Sequence, residues 1–347
     1  MDTRDTPEQA ELRRAARQLA RQLGPTTVAD LDDATRGKRL AAAVRDAGWL
    51  ELRDDGGDGR PLGSGVEAAI VADALGGTVA DVAFAGPLLA RDLARRAGTV
   101  AIEGAVVAFS PALTGPAVVT GATTTEPVYA VDTCGDSIDA AHVLVPEGDG
   151  YRLARVLVDR APGGTDLTRA IRVVAAGAQV HAVDGQRRLI STDDLAEWTA
   201  LGLAVTSADL VGIMRGALDV TVAYAAERRQ YGVPVGSFQA VQHLLADARC
   251  LMEGSLSVSL HASWAVDNLP AAEARAAGRV AKAYCVRAAR TVCETAVQVH
   301  GGIGNTWECI VHVFLRRALL SSQWFGDDEV QLLELQHERT GVAHGLS

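Results

Sequence analysis

From residue 192 to about residue 342 the chain reads as long helices with few interruptions. That stretch limits the possible architectures more than any other feature. Asp193 or Asp194 is the expected N-cap of a helix reaching Arg229. Val233-Pro234-Val235-Gly236-Ser237 then breaks the pattern, and the spacing predicts further helices over Ser237–Asp267 and Pro270–Val299. Two shorter helices follow Gly304. Long helices joined by tight turns pack as an up-down bundle. The composition agrees, because alanine is abundant and only 4% of residues are aromatic, which suits close helix packing. At 347 residues the chain is too long for one simple core, so two or three packed units are expected.

Two other regions precede the bundle. The first, 1–98, is also helical. Thr6-Pro7-Glu8-Gln9 is a capping box with proline at the first helical position, followed by Leu12, Ala16, Leu19 and Leu23 at helical spacing. A second helix over Arg36–Ala47 is stopped by Gly48. Ser64 caps a third helix with Ala68, Val71 and Leu75 as its buried stripe, and a fourth runs over Pro87–Ala97. The glycine-rich stretch 54–59 is a loop without the strand-then-helix context of a phosphate cradle. Residues 99–191 change period. Short β-rich runs at 106–109, 128–131, 142–145, 155–158 and 172–174, punctuated by Gly, Pro, Asp and Thr, predict a small antiparallel β-domain. The expected organisation is therefore a mainly α chain with a central β-domain: 1–98 helical, 99–191 β, 192–347 helical bundle.

Charge and cysteine content exclude several function classes. A net charge of -10 disfavours nucleic acid and anionic membranes as partners. The five cysteines have no CxxC pair and the eight histidines no HxxxH pair, so neither a disulfide framework nor a metal site is expected. No apolar run of bilayer length is evident, and the charged start Met1-Asp2-Thr3-Arg4-Asp5 leads into no signal-like apolar segment, which suits a cytoplasmic protein.

The motifs are more specific than the organisation. Glu227-Arg228-Arg229-Gln230-Tyr231-Gly232-Val233-Pro234 with Ser237-Phe238-Gln239 resembles the "R-x-Q-F-G-x-P-I-x-x-F-Q" signature of the acyl-CoA dehydrogenase family. Gln298-Val299-His300-Gly301-Gly302-Ile303-Gly304 resembles its "Q-x-x-G-G-x-G" signature, and Arg316-Arg317-Ala318 its "R-D-A" run. The resemblance implies the family fold: helical domain, β-domain, C-terminal four-helix bundle. It also implies FAD, held between two subunits. In such a site Arg228 would meet the pyrophosphate, because a guanidinium is a fixed charge with a planar donor fork. Gln230, Tyr231, Phe238, Gln239 and Gln298 would line the adenosine end, and Gly301 and Gly302 would admit the cofactor close to the backbone.

The same resemblance implies a missing base. The chemistry is α-proton abstraction from an acyl thioester with hydride transfer to flavin, and it needs a carboxylate beside the α-carbon. Where the family carries "Y-E-G-T", this chain has Trp324-Phe325-Gly326-Asp327, so Phe325 stands at the glutamate position. The alternative position, near the start of the helix leading to the arginine motif, is Gly202. Next to it, Leu203 replaces an arginine that some members use for CoA phosphate. Asp327, Asp328 and Glu329 read as a solvated helix start. The β-region is short, and Thr125-Glu126-Pro127 lacks the Gly-Ser pair of the family's flavin-contacting motif. This pattern resembles the short, non-catalytic subunits of heteromeric acyl-CoA dehydrogenases of actinobacterial steroid side-chain degradation, which assemble as two of each chain. It implies a partner subunit that supplies the base and most of the acyl-CoA site. A self-sufficient homo-oligomeric enzyme and a flavin-free oligomerisation subunit are the alternatives.

Overall fold

The structure is a computed structural model that describes residues 4–134, 138–158 and 165–340. Positions 1–3 and 341–347, the outer ends of the expected first and third regions, lie outside the described residues.

Four helices open the chain. α1 (Pro7–Leu23) begins at the Thr6–Gln9 capping box and turns Ala16 and Ala20 inward. α2 (Ala34–Asp46) is capped by Asp33, which accepts the amides of Thr35 and Arg36, and the chain leaves it through Gly48 at φ 71°. α3 (Gly65–Gly76) starts at the Ser64–Glu67 capping box and is buried almost all round rather than along one stripe. The reason is its position between α1 and two bundle helices. α4 (Ala85–Arg96) completes the set.

The sheet comprises β1 (Ala105–Phe109), β2 (Val128–Val131), β3 (Ala140–Glu147), β4 (Gly150–Leu157), β5 (Ile171–Val174) and β6 (His181–Ala182), in the order β5-β2-β1-β3-β4-β6. It is mixed, not antiparallel as expected, because β1 and β3 run parallel. The chain reverses once from β1 to β2 and again before β3, which lands on the free edge of β1 in the original direction. Strand patterns carry alternation but not the pairing partner, so sequence cannot show this. Ala105, Val107 and Phe109 face the helices, while Val106 and Ala108 join a separate core on the other side.

α5 (Thr192–Glu227) is the central helix. Its N-cap is Ser191, in a capping box with Asp194, rather than Asp193 or Asp194. The serine hydroxyl takes the Asp194 amide, and Asp194 as the third helical residue answers the Ser191 amide. α5 is also long and apolar enough by composition to cross a bilayer, although charged residues such as Asp209 and Arg215 interrupt its apolar run. However, 94% of its most apolar window is buried inside the protein, so the apolarity is that of a core helix. A two-stranded hairpin, β7 (Arg229–Gln230) and β8 (Val233–Pro234), follows it. α6 (Gln239–Asn268), α7 (Ala271–His300), α8 (Val311–Gln323) and α9 (Asp328–Thr340) complete the bundle, with α5 packed on α3, α6, α7 and α8.

Candidate functional site

Both signature motifs lie at one end of the bundle, because α5 and α7 run the same way and α6 returns between them. Arg228 is the C-cap of α5, and its amide donates to Tyr224 O at 2.8 Å. Tyr231 (φ 52°) and Gly232 (φ 84°) form the tip of the hairpin, the paired positive φ values that a two-residue hairpin turn requires. Tyr231 is 94% exposed and meets the Phe238 ring edge-on at 6.4 Å. Phe238 is the N-cap of α6 and gives it no side-chain cap. Arg228, Gln230, Gln239 and Gln298 are exposed. The two motifs are tied together by residues outside both expectations for the cofactor. Tyr224 stacks on His300 at 4.2 Å and its hydroxyl donates to His300 O at 3.3 Å. Tyr224 lies one turn before Arg228, and His300 lies just before Gly301. Tyr224 carries no signal in the sequence beyond its proximity to the arginine motif, and His300 holds an unspecified position within the glycine motif.

Gly301 is the C-cap of α7 at φ 67°, so the helix end itself calls for glycine there. Gly302 is different: it has no positive φ, and a Cβ added to it would meet nothing within 4 Å. This chain alone therefore gives no reason for the missing side chain. A group brought against the surface from outside would.

The other expected site is filled. Phe325 is 2% exposed and packs on Phe109, Trp198 and Trp324 with ring centroids 5.1, 5.3 and 5.9 Å away. A Cβ placed on Gly202 would lie 2.0 Å from Phe325 Cζ. The two positions where a base was sought thus face the same space, and one aromatic ring occupies it. Phe325 holds a left-handed backbone (φ 69°), its amide donating to Leu113 O at 2.8 Å. Leu203 is 1% exposed and lies against Gly278, where a Cβ would come within 2.9 Å of it, so no guanidinium fits there. Asp327 accepts the Val330 amide at 3.0 Å at the start of α9, and Asp328 pairs with Arg287 at 2.6 Å. Neither is part of the aromatic cluster.

Behind the cluster lies a buried ionic network absent from the sequence reading. Asp209 accepts from Arg317 Nη2 (2.7 Å), Arg169 Nη1 (3.1 Å) and Ser321 Oγ (2.7 Å). Arg169 also donates to Asp132, and its guanidinium lies 5.2 Å over the Trp324 ring. Burial opposes ionisation of Asp209, but Arg169 and Arg317 outweigh it and hold the carboxyl well below its usual range. Lys282, fully buried on α7, donates to Ser321 O. Burial pushes its pKa down to about 7. The void between Trp324 and this network measures about 10 Å³, at the lower limit for one water. Only Arg317 carried a hint, as part of the Arg316-Arg317-Ala318 run. Among the described residues no group of three or more His, Cys, Asp or Glu could hold a metal ion.

The helices, the small mixed sheet and the bundle-end motifs define a protein of the acyl-CoA dehydrogenase fold. Residues 200–339 match the family described as acyl-CoA dehydrogenase, C-terminal domain, whose members depend on FAD. It is similar to acyl-CoA dehydrogenase IpdE2 of Mycobacterium tuberculosis, 29% identical over 96% of this chain and 98% of that one. IpdE2 of Mycolicibacterium smegmatis is 35% identical over 173 residues, 50% of each chain, so this chain spans about half the length of that relative in the match. Two solved structures share the fold. The ChsE4-ChsE5 complex from Mycobacterium tuberculosis has TM-score 0.75 and 24% identity, covering 99% of this chain and 100% of that one. A Tcur3481-Tcur3483 steroid ACAD variant has TM-score 0.74 and 22% identity, covering 96% of this chain and 98% of that one.

Proposed function

We propose that this chain is a non-catalytic subunit of a heteromeric, FAD-dependent acyl-CoA dehydrogenase acting on a steroid-derived acyl-CoA. Its part is to hold the adenosine and pyrophosphate end of a flavin whose ring is housed by a second acyl-CoA dehydrogenase-type chain. The observation that carries this reading is the contact between Phe325 and Gly202. Gly202 has no room for a side chain beside Phe325, and Phe325 itself sits among aromatic rings that would leave a carboxylate unpartnered, while the bundle-end motifs stay exposed. The heteromeric structures of the same fold support a partner of the same type.

The residues present fit one end of the cofactor. Arg228 would bring a permanent charge to the pyrophosphate, Gln230, Gln239 and Gln298 would offer amide contacts, and Tyr231 and Phe238 would provide aromatic surface. The open space over Gly302 would admit the cofactor against backbone. Bound FAD supplies the hydride acceptor. The chain's own contribution is binding and orientation, because Phe325 cannot take a proton and the aromatic cluster excludes water from the position where a base would act. Tyr224 and His300 keep the two motif segments in register with each other. The acyl-CoA falls mainly to the partner, since Leu203 leaves no charge for its phosphates. Purification of this chain by itself tests the reading. It should carry no yellow flavin and dehydrogenate no acyl thioester, whereas a flavin-loaded, active homo-oligomer would overturn it.

A further inference from the structure

Far along the chain from the clamp motifs, a groove of about 760 Å³ opens between α4, the linker 98–102 and the edge strand β6. Arg155, Ala182 and Val183 line it from the sheet side. Arg155 of β4 stands opposite His142 of β3 on one side and opposite His181 of β6 on the other. Directly paired residues share a face and lie about 5 Å apart at Cβ, so imidazole, guanidinium and imidazole form one row across three strands. Leu153, two residues from Arg155, belongs to the core shared with the helices, which puts the row on the helix-facing side.

The guanidinium partners identify what the groove lacks. Arg91 is tied to Asp54 at 2.5 Å and to Glu51 at 3.2 Å. Arg95 is tied to Asp92 at 2.9 Å and to Gly59 O at 2.8 Å. Arg155 and Arg187 also line the groove, and among the described residues neither side chain makes a hydrogen bond or an ion pair. His142, beside Arg155 in the row, is 1% exposed, and neither ring nitrogen has a hydrogen-bond partner. A half-buried guanidinium next to an unsatisfied imidazole is a costly arrangement when nothing answers it. Part of the wall is apolar: Val100 is 85% exposed, and Ile102 lies two residues on. Asp55, which lies within electrostatic reach of Arg95 and Arg187, and Asp184 also face the groove and disfavour a polyanion. The combination suits one negative group attached to an apolar body.

We propose that this groove binds a small amphipathic carboxylate, with its carboxylate at Arg155 and Arg187 and its apolar body over Val100 and Ile102. The site uses none of the clamp residues and stands whether or not the chain binds flavin. Planar carboxylate matches a guanidinium fork in shape as well as charge. Calorimetric titration of the full chain, in complex with its partner where it needs one, tests this with octanoate, octanol and octylamine. Octanoate should bind saturably, and octanol and octylamine should not. Arg155→Met and Arg187→Met should each weaken octanoate binding roughly tenfold or more, the usual effect of losing a hydrogen bond to a charged group. Both variants should melt close to the parent, since neither guanidinium has an internal hydrogen bond or ion pair to lose and the attraction of Arg187 to Asp55 is at the surface. Octanol binding as well as octanoate, no saturable octanoate binding, or unchanged affinity in both variants would each overturn the proposal.

Discussion

A single exposed guanidinium can decide whether a flavin stays bound. Arg228 closes a helix through its backbone, so its side chain is free for an external group and its removal should spare the fold. For the complex with its partner, Arg228→Ala should lower FAD affinity roughly ten- to a hundredfold, the range for one charge-assisted hydrogen bond. Gly302→Leu makes the complementary test, because a Cβ added there meets nothing within 4 Å in this chain. The melting temperature should hold while flavin is lost on dilution, and flavin retention in both variants would remove these residues from the site. Phe325 behaves in the opposite way. Phe325→Glu puts a carboxyl into an aromatic cluster without a partner, and should cost at least ~3 kcal/mol in denaturant unfolding while yielding no dehydrogenase. Thioester dehydrogenation appearing in that variant would show that a base is all this chain lacks. The sequence identified Phe325 and Gly202 separately, as two positions without a carboxylate. Their contact was not legible, since it depends on how a turn after α8 packs on α5 more than a hundred positions earlier. The Asp209 network was illegible for the same reason: its members are charged residues that look solvated until packing encloses them.

Elements were read well where local chemistry sets them. The Thr6 and Ser64 capping boxes, the stop at Gly48 and the long bundle helices depend on neighbours within a turn, and all are present. The error at the start of α5 was also local: a serine with an aspartate three residues on outcompetes either aspartate alone as the cap. Strand pairing and hairpin formation at 229–234 depend on partners the pattern does not specify, and there the parallel β1–β3 pair was missed. The packing of α7 on α8 gives a pH prediction at this scale. Lys282 on α7 reaches the Ser321 carbonyl of α8 from a buried position, and its pKa falls from 10.5 to about 7. Between pH 7 and 10.5 the unfolded chain therefore binds a proton that the folded chain does not, so stability attributable to this group rises with pH across that window. Below pH 7 the folded state carries a buried ammonium and gains nothing further. Lys282→Met keeps the length of the side chain and removes the charge. Its melting temperature should exceed the parent's near pH 6, and the difference should shrink steadily toward pH 10. A parallel offset at all pH values would mean that Lys282 does not titrate in this range.

At the scale of the whole molecule, two features support the proposed division of labour between this chain and a partner. The interior around Gly202 is closed by Phe325, Trp324 and Trp198, and the surface that carries the two motifs is open at the end of the bundle. Leu244, Val280, Tyr284 and Leu319 add exposed apolar surface on the bundle helices. A protein with such surface ordinarily covers it with another chain. A subunit with one half of a cofactor site cannot complete that site with copies of itself, because each copy repeats the same half. Co-expression with its partner should therefore give a yellow complex containing the two chains in equal amounts. Flavin should number one per pair of chains, since on the proposed reading the partner provides every ring pocket and this chain every adenosine clamp. Absorbance-derived flavin measured against protein, for a complex of known mass, checks the ratio. One flavin per chain would mean that this chain also houses a ring, and the closed interior around Phe325 would then have to open on assembly. A ratio of one per pair that persists in Phe325→Leu, with activity unchanged, would place all of the chemistry in the partner and leave this chain the clamp alone.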